Sequence, residues 1–283
     1  MPPFRLVDAF TAVPFAGNPA GVVVLDGGPV DADWAQRIAA EVGASETAFV
    51  HPEHEGWRLR WWTPGTEVAL CGHATLATAH VLWEDGVVAR DRPLSFTTRS
   101  GVLVARREGG DAAHAEAALG ERADGGEVAL DLPAWPVAPH PTPAALDAAL
   151  AGTPGRYLGR TAGDQPNDLV EVVDEAAVRA LAPDLDAVTA LGTTGLIVTA
   201  AADGDGDLVS RYFAPAVGVD EDPVTGSAHC TLGPLWAARL GRTSLTARQL
   251  SARGGRLRLR VTDDRVAVAG AAVTVIRGEV RGP

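Results

Sequence analysis

The second half of this chain repeats the first, and few folds can be built from one pattern used twice. Arg60-Trp61-Trp62-Thr63-Pro64 returns as Arg211-Tyr212-Phe213-Ala214-Pro215, an offset of 151. Phe96-Thr97-Thr98-Arg99-Ser100-Gly101 returns as Leu250-Ser251-Ala252-Arg253-Gly254-Gly255, with Arg106 falling on Arg260, at an offset of 154. Gly72-His73-Ala74 falls on Gly226-Ser227-Ala228 at the same 154, whereas upstream Asn18 falls on Asn167 and Gly43 on Gly192 at 149. An offset that grows in one direction is what small loop insertions produce. The repeat therefore predicts two similar lobes facing each other across a pseudo-twofold cleft. The copies differ at one telling position: Glu46, in Gly43-Ala44-Ser45-Glu46-Thr47-Ala48-Phe49, falls on Gly195. A carboxylate present in only one copy is hard to explain as scaffold.

Composition narrows the class. A length of 283 residues suits two domains that each bury a core. With 46% apolar and 21% charged residues the chain is globular. A net charge of −12 argues against nucleic acid or an anionic membrane as the main partner. No apolar run is long enough to predict a transmembrane helix. The start, Met1-Pro2-Pro3-Phe4-Arg5, lacks the basic and apolar regions of a secretory signal. Two cysteines, Cys71 and Cys230, do not make a disulfide framework. A cytoplasmic enzyme or binding protein is the expectation.

Alternation of polar and apolar residues predicts strands at Arg58–Trp62, Asp207–Phe213 and Arg256–Val261. Short β-branched runs predict others at Val22–Val24, Val102–Val104, Val266–Val268 and Val273–Ile276. A first helix is expected over Ala32–Val42, capped by Asp31, ended by Gly43, with Trp34, Ile38 and Val42 on one face. Two further helices are expected from Gly72 to about Trp83 and from Gly226 to Leu240, the latter with Leu232, Leu235, Trp236 and Leu240 at helical spacing. The first of these is small or apolar nearly all round, which marks a buried helix. The economical picture is an α+β protein of two pseudo-symmetric lobes, each a barrel-like sheet wrapped round a central helix. The N-terminal lobe is expected over residues 1–120 and the C-terminal lobe over 121–283, with the last strand free to cross back to the first lobe. Gly109–Gly126 reads as a linker, and the proline-rich Pro133–Pro143 as a second candidate.

The loops Pro64–Thr75 and Val219–His229 each end in glycine at the start of a buried helix. Free backbone N–H groups at a helix N-terminus bind anions, and glycine lets a ligand approach the backbone. Gly72 and Gly226 are thus candidates to grip a carboxylate, unless they only permit tight turns. Glu46 stands beside the apolar Ala48-Phe49-Val50, where desolvation favours the protonated form and suits a general acid/base. His73 is a candidate donor to substrate. Asp222 is a turn former before Pro223 or a polar partner of substrate, and its neighbour Glu221 makes an acidic pair that a turn alone does not need. Asn18-Pro19 is a turn able to hand an amide to the cleft. Cys71 matches Thr225, so the thiol pair of a two-base racemase is missing. No His-Glu-x-x-His, paired Cys-x-x-Cys, Gly-x-Gly-x-x-Gly or P-loop pattern occurs, so no metal and no organic cofactor is expected.

Taken together, Asp8-Ala9-Phe10-Thr11, Phe15-Ala16-Gly17-Asn18-Pro19, Ser45-Glu46-Thr47-Ala48-Phe49, Cys71-Gly72-His73-Ala74-Thr75 and Glu221-Asp222-Pro223-Val224-Thr225-Gly226-Ser227-Ala228 resemble the PhzF-like phenazine-biosynthesis family, of diaminopimelate-epimerase-like fold. The resemblance spans nearly the whole chain. It implies two barrel-like lobes with the active site between them. It also implies a cofactor-free isomerase that shifts a proton on a small carboxylate-bearing substrate, as the characterised branch does on a dihydro-hydroxyanthranilate. Glu46 would be the acid/base, with His73, Asp222 and Ser227 around the substrate. A homodimer is one candidate assembly. The Cys-Gly-His-Ala-Thr form is frequent in members without an assigned substrate. Two rival readings stand beside it: a single-thiol epimerase or dehydratase using Cys71 with Thr225 opposite, and a non-catalytic binding protein for a small anion.

Overall fold

A computed structural model describes residues 1–109, 126–162 and 165–282. It divides the chain into two compact units, Met1–Asp131 with Ala269–Pro283, and Leu132–Val268. Among the described residues no helix is long and apolar enough to cross a membrane.

The first unit holds β1 (Pro3–Ala9), β2 (Asn18–Val24), α1 (Ala32–Val42), β3 (Glu46–Glu53), β4 (Gly56–Trp62), β5 (Glu67–Val68), α2 (Gly72–Glu84), β6 (Leu94–Thr98), β7 (Gly101–Gly109), β8 (Gly126–Pro133) and the last strand, β17 (Ala272–Glu279). The ladder runs β17-β1-β2-β3-β4-β6-β7-β8, with β2/β3 and β4/β6 parallel and the other pairs antiparallel. Gly109 pairs with Gly126, so the two ends of the stretch read as a linker lie side by side. Its interior lies outside the described residues.

Helix α2 is the core of this unit. Ten of its residues, His73–Ala79 and Val81–Trp83, are buried, and it packs on β1, β2, β3 and β17. Helix α1 is capped as its sequence requires: Asp31 accepts from Trp34 N–H at 2.8 Å, and Gly43 closes the helix at φ +65°. Its buried face is Trp34, Ala35 and Ala39, slightly rotated from the expected Trp34-Ile38-Val42 stripe. The cause is a wedge of rings edge-on to each other, Trp34 on Phe49 at 5.4 Å and Phe49 on Trp62 at 5.1 Å, which takes the small side of the helix.

The second unit holds β9 (Val137–Ala138), α3 (Leu146–Ala149), β10 (Gly155–Thr161), β11 (Asn167–Val172), α4 (Glu175–Ala180), α5 (Leu185–Thr189), β12 (Gly195–Ala201), β13 (Leu208–Phe213), α6 (Gly226–Leu240), β14 (Ser244–Gln249), β15 (Gly255–Val261) and β16 (Arg265–Gly270). Its ladder β9-β10-β11-β12-β13-β14-β15 again contains two parallel pairs, β11/β12 and β13/β14, at the positions matching β2/β3 and β4/β6. Helix α6 packs on β14 and β15. It is buried through its first half and at Trp236, while Leu235 is half-buried and Leu240 is exposed, so the expected apolar stripe does not run to its end. Pro234 lies inside this helix and has no N–H to give to the Cys230 carbonyl. The Trp135 N–H takes its place at 3.0 Å.

The repeat extends to side-chain contacts. Arg60 lies over the Trp62 ring at 4.5 Å, binds both Glu67 oxygens and donates to the Val30 carbonyl. Arg211 lies over the Phe213 ring at 4.8 Å, binds both Glu221 oxygens and donates to the Leu181 carbonyl. Glu221 is thereby explained as the partner of a scaffold arginine, which leaves Asp222 as the acid without that role.

Gly17 is a position where only glycine fits. Its φ is +64°, and an added Cβ would lie 2.2 Å from the Ala9 carbonyl oxygen. Gly28 shares a positive φ, +81°, but opens on free space. Gly17→Ala should therefore cost at least about 2 kcal/mol in urea unfolding, from clash plus backbone strain. Gly28→Ala should cost about 1 kcal/mol, from strain alone. Equal losses in the two variants would show that the close approach to Ala9 carries no energy.

Candidate active site

Glu46 opens β3, three residues after the left-handed Gly43 that stops α1. In the parallel pairing it stands opposite Ala20, two residues beyond Asn18. Asn18 is fully buried and accepts from the Ser45 hydroxyl at 3.3 Å. The loop leading to Asn18 is fixed by Asp8, whose carboxylate accepts from Phe15 N–H at 2.7 Å.

Helix α2 brings the partners of Glu46. Its cap residue Cys71 has extended backbone (φ −146°, ψ 113°), and no side chain caps the helix. The Cys71 carbonyl accepts instead from the Thr75 hydroxyl at 2.5 Å. Neither Gly72 nor Gly226 has a positive φ. His73 follows Gly72 in the first turn and is 6% exposed. Its Nδ1 lies 3.5 Å from Cys71 Sγ and its Nε2 lies 3.3 Å from Glu46 Oε2. Donor atoms of Glu46, Cys71 and His73 all fall within 4.8 Å of one another.

Burial pushes the His73 pKa down to about 3, with the Pro19 backbone opposing the shift. The ring is therefore neutral at pH 7 and carries one N–H. The approach to Glu46 is off the line of a good hydrogen bond, and Nε2 is buried without a hydrogen-bond partner. With its proton on Nε2 the ring faces Glu46 as a donor, and Nδ1 accepts from the Cys71 thiol.

In the second unit the matched loop is built differently. Thr225 caps α6 with extended backbone and no side-chain cap bond, as Cys71 does for α2. Its hydroxyl donates to Asp222, and its N–H donates to Gln249 Oε1 at 2.8 Å. Gln249 Nε2 donates to the Asp222 carbonyl at 2.7 Å and to the Thr225 hydroxyl at 3.1 Å. Gly226 and the half-buried Ser227 form the first turn of α6. The space a side chain at Gly195 would fill is taken by Tyr212, since a Cβ there would lie 2.5 Å from the phenol oxygen. Tyr212 donates to Asn167 Oδ1 at 2.8 Å, and burial followed by the charge of Asp222 raises its pKa.

The structure thus groups Glu46, His73 and Cys71, sets Asn18 beside Ser45, and places Asp222, Gly226 and Ser227 in the second unit. Sequence reasoning missed Tyr212 and Gln249. Tyr212 had a signal: it matches Trp61 in the repeat and adds a hydroxyl in the copy that lacks the carboxylate. Gln249 had none, because its role is a contact across 24 residues.

Comparison with known proteins gives one consistent answer. The profile of the phenazine biosynthesis-like protein family matches residues 7–278. An uncharacterized isomerase of Pseudomonas aeruginosa is 48% identical over 281 residues, 98% of each chain. One from Halalkalibacterium halodurans is 43% identical over 282 residues, again 98% of each. A crystal structure of a PhzF-family phenazine biosynthesis protein from Enterococcus faecalis superposes with a TM-score of 0.84 at 38% identity, covering 99% of each chain. A hydroxyproline epimerase from Agrobacterium vitis shares the fold alone, with a TM-score of 0.65 at 13% identity over 98% and 91% of the chains.

The buried histidines make stability depend on pH. Burial lowers His73 to about 3 and His229 to about 4, the Thr225 backbone opposing the latter, against an ordinary value of 6.5. The unfolded chain therefore binds more protons below pH 6.5, so their contribution is complete above that pH and is lost as pH falls. Between roughly pH 4 and 6.5 the two should steepen the rise of unfolding free energy, by up to about 3 kcal/mol per pH unit. His229→Gln should remove about half of that slope, read from urea melts across the window. An unchanged slope in this variant would mean that His229 is protonated in the folded protein.

Proposed function

The chain belongs to the phenazine biosynthesis-like protein family and is an isomerase, and we propose that it moves a proton on a small carboxylate-bearing metabolite without a cofactor, Glu46 serving as both acid and base. The observation that carries this reading is the approach of His73 Nε2 to Glu46 Oε2 at 3.3 Å, in the one copy that has a carboxylate there. At the matched positions the other copy has Gly195, overlaid by Tyr212, and Ser227. One carboxylate suffices for a proton shift if it takes the proton from one carbon and returns it to another on the same face of the substrate. A neutral His73 suits this role: it can donate to the carboxylate or to a substrate oxygen without adding a charge.

Recognition of a carboxylate is supported by the helix starts. Asp31, Asp174 and Asp184 cap α1, α4 and α5 with their side chains, whereas the caps of α2 and α6, like that of the one-turn α3, make no such bond. First-turn N–H groups without a side-chain cap are suited to an anion. Gly72 and Gly226 keep side chains away from them. Asn18, Asp222 and Ser227 are the polar residues we assign to substrate binding. A thiol base is not needed, and Thr225, at the position matching Cys71, gives its hydroxyl to Asp222.

Thermal-shift screening of small carboxylates supplies a ligand, and solvent deuterium exchange into it reports the chemistry. Glu46→Gln keeps the volume and removes the acid, so exchange should fall roughly 100-fold or more while the thermal shift persists. Near-normal exchange in this variant would overturn the assignment. Ser227→Ala should weaken binding of the same ligand by about 1 kcal/mol, the worth of one hydrogen bond, with exchange at saturation little changed. An unaltered affinity would remove Ser227 from the substrate contacts.

A further inference from the structure

We infer that Glu46, Cys71 and His73 form a binding site for a thiophilic divalent cation of the zinc class, and that such an ion shuts the isomerase down by occupying its base. The second half of this inference rests on Glu46 being the acid/base; the first half stands on the donor set alone. One carboxylate oxygen, one sulfur and one imidazole nitrogen lie within 4.8 Å of one another. Ligands around a tetrahedral zinc ion stand about 3.3–3.8 Å apart. The Glu46–His73 pair, at 3.3 Å, is already at that spacing. Drawing in the sulfur takes a side-chain movement of about an ångström. Three protein donors leave a fourth position open, the arrangement of reactive zinc sites.

An independent observation points to a ligand here. His73 Nε2 lies on a residue only 6% exposed and has no hydrogen-bond partner, yet it is aimed at the Glu46 carboxylate. A buried polar nitrogen left this way is costly, and an ion between it and the carboxylate would remove the cost. The thiol selects the ion: magnesium and calcium prefer all-oxygen surroundings, whereas sulfur with imidazole favours zinc, cobalt and their like. The repeat supplies an internal control, because the matched positions are Gly195, Thr225 and Ser227 and offer no such donors. The other cysteine, Cys230, is buried in α6 with its thiol directed to the Gly226 carbonyl at 3.6 Å.

Binding exchanges a proton for the ion. The Cys71 S–H bond breaks and its electron pair forms the sulfur–metal bond; the His73 proton moves from Nε2 to Nδ1, which frees the Nε2 lone pair for the ion, and one proton in all leaves to buffer, with no change of oxidation state. Cobalt(II) is the probe, because a thiolate ligand gives it a sulfur-to-metal charge-transfer band. The full-length protein, stripped by chelator, should bind one Co2+ per chain with that band, release one proton, and lose the band on adding Zn2+. Cys71→Ser should abolish the band and Cys230→Ser should leave it. Glu46→Gln and His73→Gln should retain the band but weaken binding at least about tenfold, more than a change outside the ligand set would. Absence of the band in the parent protein, its persistence in Cys71→Ser, its loss in Cys230→Ser, or an unchanged affinity in Glu46→Gln would each overturn the site. Should His73→Gln fail to fold, the cysteine and glutamate variants still decide. In the exchange assay Zn2+ should inhibit at the concentration that displaces Co2+. Full exchange in Glu46→Gln beside an intact cobalt site would end the base assignment and leave the ion site standing; lost exchange with no cobalt band would do the reverse.

Discussion

A helix without a polar face has to be enclosed, and most of what is distinctive in this protein follows from that. Helix α2 buries residues on nearly every side, so neither a single sheet face nor a partner helix can cover it. Strands must wrap it, and β17 from the end of the chain is among those that do. The ends of this arrangement are tied by charge: Thr274 donates to Glu84 at 2.6 Å, Arg277 pairs with Glu84 at 2.9 Å, and Arg5 pairs with Asp85 at 2.9 Å. His80 and Thr274 hydrogen bonds, with Arg277, hold the Glu84 carboxyl at about 2 against desolvation. The first N–H groups of this helix make no bond to the cap side chain.

Duplication gave the chain two such helix starts, and the copies were then free to diverge around them. What stayed common is mechanical. The stacked arginine with its bidentate glutamate, Arg60/Glu67 and Arg211/Glu221, holds the loop that leads to each helix. Thr75 and His229, at matched positions, both bond the carbonyl of the cap residue. What changed is chemical. One copy has Glu46, Cys71 and His73; the other has Gly195, Thr225 and Ser227. Even the parallel pairing slipped: Ala20 faces Glu46 in one, whereas Asn167 faces Gly195 in the other. The slip is two residues, which preserves the face each side chain points to.

The features legible in the sequence were those set by local rules. Asp31 and Gly43 bracket a helix because one side chain can cap it and one residue can leave it left-handed, and both lie within four residues of the groups they serve. The strands of alternating pattern are equally local. The repeat made Glu46 stand out, and His73 came from its place in a duplicated helix start. Tertiary contacts carried no such mark. Nothing near Gln249 in the chain says that it binds the Asp222–Thr225 loop, and nothing near Gly195 says that a phenol from β13 fills its space. The acidic pair Glu221-Asp222 looked like one functional cluster, but a stacked arginine claims one acid and leaves the other.

The protonation state of His73 bears on how a single carboxylate can work. A charged imidazolium 3.3 Å from Glu46 would hold that carboxylate ionised and make it a poor acid. Burial removes the charge, since the His73 pKa falls to about 3. Glu46 then faces a neutral dipole rather than a cation. For the proposed proton shift this matters, because a single carboxylate would have to be anion in the first half of the reaction and acid in the second. Enclosure of α2 thus does two things at once. It keeps the histidine beside Glu46 neutral, and it sets a helix start without a side-chain cap bond next to the same carboxylate.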